Sequence, residues 1–180
     1  GLGDHPTVLY LGKLSRLEGS ELLKGIIEEV LESVPNAMFL IVGDGPARES
    51  VERFVEQQGL SERVVFTGWV PHSRVADYII AADICLLPRR HTSFSPYTSP
   101  ENILKAGEYM ALGKPVVAPK MGGFADAEFP VIPAEPEEMA QAVVEFLRNP
   151  RQVPEFQRPT WEVSHARLQR VYSAIGAVSR

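Results

Sequence analysis

The sequence predicts an α/β protein with a Rossmann-like, three-layer α/β/α architecture and a mostly parallel sheet of about six strands. One observation is that apolar, β-rich runs alternate with amphipathic helical patterns along the chain, without a run of consecutive hairpins. Such alternation requires parallel strands joined by right-handed crossovers. The other is that AMFLIVG is apolar throughout, as expected of a strand that is buried on both faces of a sheet.

The predicted strands are short apolar runs, most of which end at glycine or proline. In chain order they are TVLYLG (7–12), AMFLIVG (37–43), RVVFTG (63–68), DICLLP (83–88), KPVVAP (114–119) and FPVIP (129–133). Between them, apolar residues recur at helical spacing. The predicted helices are SELLKGIIEEVLES (20–33), RESVERFVEQQGL (48–60), SRVADYIIAA (73–82), the stretch within SPENILKAGEYMALG (99–113) and EPEEMAQAVVEFLRN (135–149).

Three of these helices carry recognisable end patterns. Ser20 is predicted to cap the first helix, and Gly59 is predicted to stop the second. Ser99 and Pro100 are predicted to open the fourth, because a capping hydroxyl followed by a residue without an N–H suits a helix start.

Composition and charge restrict the class of protein. With 180 residues, 44% of them hydrophobic, the chain suits a single domain over 1–180 with its own core. A net charge of -5 argues against nucleic-acid binding, which needs a basic surface. The single cysteine, Cys85, lies in an apolar run and is predicted to be a buried small hydrophobe. No apolar stretch has the length of a membrane span and no signal-peptide pattern is present, so we expect a cytoplasmic protein.

In an open parallel sheet, ligands bind beyond the carboxyl ends of the strands. Here those ends carry Gly12-Lys13, Gly43-Asp44-Gly45, Gly68-Trp69 and Arg89-Arg90. A dinucleotide fingerprint would need G-x-G-x-x-G directly after a strand, but Arg48 stands at the third glycine position of VGDGPAR. The sequence therefore favours a ligand at this edge other than a nicotinamide or flavin dinucleotide.

Four stretches in order resemble the C-terminal, donor-binding half of retaining GT-B glycosyltransferases of family 4, the group 1 type. They are LYLGKLS, FLIVGDGP, VVFTGWV followed by AADICLLP, and GEYMALGKPVVAP. The resemblance implies a nucleotide-sugar donor and half of an enzyme. A glycan or lipid-linked acceptor would bind a separate N-terminal domain, and the full-length protein could be peripheral to a membrane. It also implies a linker at 150–160 and a closing helix at 161–178, in PTWEVSHARLQRVYSAI.

The resemblance assigns roles to two glutamates. Glu108, which precedes YMALGKPVV, matches the residue that holds the ribose hydroxyls, and a carboxylate can accept two hydrogen bonds from a vicinal diol. The alternative for Glu108 is a surface glutamate paired with a lysine. The family's other glutamate touches the sugar and lies eight positions earlier, where this chain has Pro100; Glu101 is adjacent and is the candidate. The alternative for Glu101 is an acidic residue that merely suits the first turn of a helix.

Phosphate binding is where the chain departs from the family pattern. The free amides after Ser99, including those of Asn102 and Ile103, would suit a diphosphate at a helix N-terminus. The family's arginine and lysine after the first strand correspond to Lys13 and Glu18. Lys13 keeps the positive charge and, together with Glu101, is predicted to be catalytic. Glu18 reverses the charge at its position. Arg16 is a candidate substitute.

Backbone and base contacts complete the predicted site. Gly12 and Gly45 would let the backbone approach the donor, and Trp69 and Val70 match where the family holds the base; Trp69 as an ordinary aromatic is the alternative. No metal-ligand spacing is present, and neither a metal nor a cofactor is implied.

Two other functions remain open on the sequence. One is a degenerate, non-catalytic binding module, which Glu18 and Pro100 would favour. The other is a related nucleotide-sugar enzyme, such as a 2-epimerase.

Overall fold

The computed structural model describes residues 4–90, 92–93, 95–100, 103–154 and 169–170. The strands within this part are β1 (Thr7–Leu11), β2 (Met38–Val42), β3 (Val64–Gly68), β4 (Ile84–Leu86), β5 (Val116–Pro119) and β6 (Val131–Ala134). They form one 6-stranded sheet in the order β3-β2-β1-β4-β5-β6, and every neighbouring pair is parallel. The predicted Rossmann-like sheet is confirmed. Its order reverses next to β1, and ligands bind at such a point in open α/β sheets.

Helices cover both faces of the sheet. They are α1 (Ser20–Ser33), α2 (Arg48–Gln57), α3 (His72–Ile80), α4 (Leu104–Ala111) and α5 (Met139–Arg148). The buried side chains of α1, α2 and α5 belong to one apolar core, and those of α3 and α4 belong to a second. The three predicted layers are therefore present.

Strand β1 shows why its sequence folds in this way. All of its residues are buried, and successive side chains point to opposite faces. Val8 and Tyr10 pack into the core with α1 and α5, whereas Leu9 and Leu11 pack into the core with α4. A strand in the middle of a covered sheet has no solvent-facing side, which accounts for the continuous apolar run.

Cys85 is fully buried in the α3/α4 core, as predicted, and burial raises the pKa of its thiol. None of the described helices combines the length and the apolar character that a membrane span requires.

The prediction that Ser20 caps α1 is wrong. Gly19 occupies the cap position, and Ser20 is the first helical residue, fully buried. Gly19 lies so close to the carbonyl of Pro88 that a β-carbon there would collide with it. Since only glycine fits this contact, the approach of the β4 end moves the cap one residue before the serine.

The prediction that Ser99 and Pro100 open α4 is also wrong. The helix begins at Leu104, after an extended Ile103 that makes no side-chain capping bond. The segment before it packs elsewhere: the amide of Gly123 donates to the carbonyl of Thr98 at 2.7 Å, and Ser99 lies against Gly123. This packing against the turn that follows β5 overrides the local start pattern at Ser99.

The remaining predicted boundaries are close to those observed. Gly59 follows the end of α2, and the last helix is preceded by a short 3₁₀ turn at Pro136–Glu138. Most of the predicted linker at 150–160 and of the predicted closing helix at 161–178 lies outside the described residues.

Candidate functional site

The carboxyl ends of β1, β2 and β3 meet in a glycine-lined floor. The amide of Gly12 donates to the carbonyl of Val42 at 2.8 Å, and the amide of Gly43 donates to the carbonyl of Gly68 at 2.9 Å. A β-carbon on Gly43 would collide with the carbonyl of Gly12. The two strand ends therefore approach more closely than side chains would allow, so the floor between them is formed by backbone.

A cavity of about 310 Å³ lies over this floor. Its lining is mainly apolar, with two charged side chains: Leu11, Gly12, Val42, Gly43, Trp69, Val70, His72, Val75, Lys105 and Glu108. A volume near 300 Å³ with a few polar groups is at the lower end of what small-molecule sites use. We call it the first cavity.

Glu108 provides an unused carboxylate in the first cavity. It is half-buried on α4, and within the described part of the chain its carboxylate makes no hydrogen bond and no ion pair. Lys105, one turn earlier on the same helix, pairs with Glu18 instead. The alternative, in which Glu108 is a surface glutamate paired with a lysine, is therefore wrong for Lys105. Both carboxylate oxygens of Glu108 are available as acceptors.

Trp69 and Val70 form an apolar wall of the first cavity directly after β3. The side chain of Trp69 is 68% exposed, so it is not a core aromatic, whereas Val70 packs against the core beneath α3 and α4. An exposed indole above a strand end offers a flat face on which a planar ring can stack.

An ion cluster of Glu18, Lys105 and Arg89 borders the first cavity. The Nζ of Lys105 is 3.0 Å from Oε2 of Glu18, and Nη2 of Arg89 is 2.8 Å from Oε1. Burial by itself raises the pKa of Glu18, but the charges and hydrogen bonds of Lys105 and then Arg89 outweigh it and hold that pKa below its ordinary value. Glu18 is therefore an anion at neutral pH, fully paired.

A second cavity of about 360 Å³ lies beyond this cluster. Its lining combines four hydroxyl side chains, two arginines, one glutamate and two apolar side chains: Leu17, Glu18, Arg89, Arg90, Thr92, Ser93, Ser95, Thr98 and Met121. Such a lining can hydrogen-bond a polyhydroxylated group. We call it the second cavity.

The structure brings together part of the predicted site. Gly12, Trp69, Val70 and Glu108 line the first cavity, as expected of one site. Gly45 is not part of that lining; it lies so close to the carbonyl of Leu14 that a β-carbon would collide.

The predicted cations are placed differently. The side chains of Lys13 and Arg16 are exposed and line neither cavity. The amide of Ile103 donates to the carbonyl of Ser99 at 3.1 Å, so it is engaged within the loop before α4. The predicted Glu101 and Asn102 lie outside the described residues.

The sequence placed Gly43 and Arg89 at the carboxyl edge of the sheet without a role, and it did not assign Lys105 or His72 to the site. Lys105 precedes Glu108 by three positions on a helix, and residues so spaced share a face. That spacing was enough to place Lys105 beside the ribose candidate. Nothing local in the sequence pairs Arg89 with Glu18.

A larger cavity, of about 640 Å³, lies at the opposite, amino-terminal edge of the sheet, bordered by Thr7, Asp83 and Lys114. It contains none of the predicted site residues. Its lining continues to Val153, one residue before the described stretch ends at 154. The carboxyl edge, with its glycine floor and unpaired carboxylate, is the candidate site.

The sheet order and the cavity at its reversal point define a Rossmann-like α/β domain with a candidate ligand site at the carboxyl edge. The family described as "Glycosyl transferases group 1" matches residues 5–149. The chain belongs to this family.

One relative and two solved structures illustrate the similarity. Alpha-D-kanosaminyltransferase of Streptomyces kanamyceticus is 30% identical over 156 residues, which cover 83% of this chain and 38% of that protein. Sucrose-phosphate synthase from Thermosynechococcus elongatus has a similar structure, with a TM-score of 0.71, 26% identity, and coverage of 97% of this chain and 46% of that one. The Anabaena protein HepE, solved in complex with UDP, matches with a TM-score of 0.62 and 21% identity over 85% of this chain and 42% of that one. The chain thus spans less than half the length of each.

Proposed function

We propose that the chain is the donor-binding part of a glycosyltransferase that uses a nucleoside-diphosphate sugar. The observation that carries the proposal is the first cavity, in which the unpaired carboxylate of Glu108 and the exposed indole of Trp69 line one space above a glycine floor. Family membership supports it, as does the UDP bound to the similarly folded HepE.

The lining of the first cavity supports one proposed orientation of the nucleoside. The base stacks at Trp69 and contacts Val70, and the ribose hydroxyls donate to Glu108. The diphosphate then lies over the backbone of Gly12, near the start of α4, and the sugar points to the hydroxyl-lined second cavity. Exposed Lys13 and Arg16 remain candidates for outer phosphate contacts.

The chemical role proposed for this domain is to stabilise the leaving diphosphate. Cationic side chains aimed at the phosphates lower the barrier when negative charge develops on the leaving group. We further propose that the sugar is transferred with retention to a glycan or lipid-linked acceptor held by another part of the protein, at the cytoplasmic side and peripheral to a membrane. These elements rest on the family resemblance.

Titration calorimetry of the purified protein with UDP, GDP, ADP and inorganic pyrophosphate tests the proposal. We expect at least one nucleoside diphosphate to bind with micromolar affinity and to bind more tightly than pyrophosphate, because the base and ribose add contacts. Absence of binding to all three nucleotides at millimolar concentration would overturn the proposal and favour the degenerate module.

A variant pair separates the base site from nonspecific effects. Trp69→Ala should weaken nucleotide binding by roughly 5- to 150-fold, since stacking of a base on an aromatic ring contributes about 1–3 kcal/mol. Ile80→Ala removes another exposed apolar side chain, 58% exposed on α3, and should leave the affinity unchanged. Equal effects of the two substitutions would count against a base at Trp69.

A further inference from the structure

Glu18 is held by two cations in a largely buried cluster. The side chains of Glu18, Lys105 and Arg89 are only 24%, 23% and 28% exposed, and each oxygen of the carboxylate has its own cationic partner. The cluster carries two positive charges and one negative charge. It therefore retains a net positive charge although a glutamate stands where the family pattern has a lysine.

The cluster lies between the two cavities. Lys105 lines the first cavity, while Glu18 and Arg89 line the second. The Nζ of Lys105 lies directly over Gly12, where a β-carbon on that glycine would collide with it. A ligand with its nucleoside in the first cavity and its sugar in the second would carry its diphosphate across these three side chains.

Two features of the cations indicate capacity for a further anion. Lys105 is in the first turn of α4, where the positive end of the helix dipole disfavours a cation unless an anion is nearby. The Nε of Arg89 is buried and has no hydrogen-bond partner within the described part of the chain. Glu18 thus satisfies only part of the donor groups that surround it.

We propose that Lys105 and Arg89 are the cations that bind the donor's diphosphate in this protein, and that Glu18 is a resident counter-anion which the diphosphate displaces. This inference rests on the proposed function and assigns the phosphates to residues from α4 and the β4 loop rather than from the β1 loop alone. A diphosphate offers more charge and more acceptor oxygens than one carboxylate, and charge-assisted hydrogen bonds are the strong ones.

The resident carboxylate has two consequences for binding. It keeps Lys105 and Arg89 oriented while the site is empty, so the cations are not left unpaired in a partly buried place. It also competes with the incoming phosphates for the two cations, and its own negative charge repels them. Removal of the Glu18 charge should therefore tighten diphosphate binding, an effect opposite in sign to that of losing a merely structural ion pair.

Calorimetry with the best-binding nucleoside diphosphate and with its parent nucleoside tests this on the purified protein. Glu18→Gln keeps the size of the side chain and should tighten diphosphate binding about tenfold. Lys105→Met should weaken it by roughly 10- to 150-fold, as expected for loss of a charged hydrogen bond. Both variants should bind the nucleoside as the wild type does.

Two control variants complete the experiment. Lys114→Met makes the same charge change at the opposite edge of the sheet, where Nζ donates to the carbonyl of Ile80, and should not alter affinity. Lys105→Arg should restore most of the diphosphate affinity. If the wild type binds the diphosphate but Glu18→Gln binds it equally or more weakly, the inference is overturned while the proposed function stands. Failure of the wild type to bind any nucleotide overturns the proposed function itself.

Discussion

Replacement of Glu108 by alanine is expected to weaken nucleoside-diphosphate binding by roughly 10- to 150-fold, or about 1.5–3 kcal/mol, with little change in stability. Affinity falls because the ribose hydroxyls lose a charged acceptor. Stability is retained because the carboxylate makes no hydrogen bond or ion pair within the described residues, so its removal leaves no partner unsatisfied there. Calorimetry and thermal unfolding measure the two effects on the same sample.

Glu29→Ala is the matched control for Glu108→Ala. Glu29 is an exposed glutamate in the middle of α1, on the opposite face of the sheet from α4, so its removal should change neither quantity. Unchanged affinity in Glu108→Ala would remove the ribose assignment, whatever the outcome for Trp69.

Replacement of Gly43 by alanine is expected to lower the free energy of unfolding by about 2–4 kcal/mol. Gly43 has a φ of 127°, which L side chains rarely adopt, and its β-carbon would meet the carbonyl of Gly12. The β1 and β2 ends must separate to accommodate it, so nucleotide affinity should fall as well. Urea unfolding followed by circular dichroism measures the stability.

Gly25→Ala provides the control for this substitution. Gly25 lies within α1, and a β-carbon there would meet nothing within 4 Å. Alanine should stabilise the helix by up to about 1 kcal/mol, since glycine is the poorer helix former. Gly43→Ala as stable as the wild type would show that the close contact between the strand ends is not required.

The fold was predictable because its causes are local. A strand covered on both faces must be apolar along its whole length, and a helix covered on one face must be apolar every three to four residues, so AMFLIVG and SELLKGIIEEVLES carry their own structure. The two wrong helix starts have non-local causes. Pro88 displaces the cap at Ser20, and the turn at Gly123 holds Thr98 and Ser99 away from the start of α4.

The site was predictable in part for a similar reason. Glu108, Trp69 and Gly12 follow motifs whose positions in a parallel sheet are fixed, and the structure places them around one cavity. The charge balance at Glu18 was not predictable, since its partners Arg89 and Lys105 are 71 and 87 residues away in the chain. From the sequence Glu18 is an unfavourable anion beside a diphosphate; in the structure it is compensated twice. Because two cations neutralise it, Glu18 gives less support to a degenerate module than the sequence alone suggests.

A crystal structure of the protein with the nucleoside diphosphate that binds best would locate the base and the ribose. We expect ribose hydroxyls within hydrogen-bonding distance of the Glu108 carboxylate, roughly 2.6–3.2 Å, and the base against Trp69 and Val70. A nucleotide bound at the amino-terminal edge of the sheet, or in the first cavity without contact to Glu108, would contradict it.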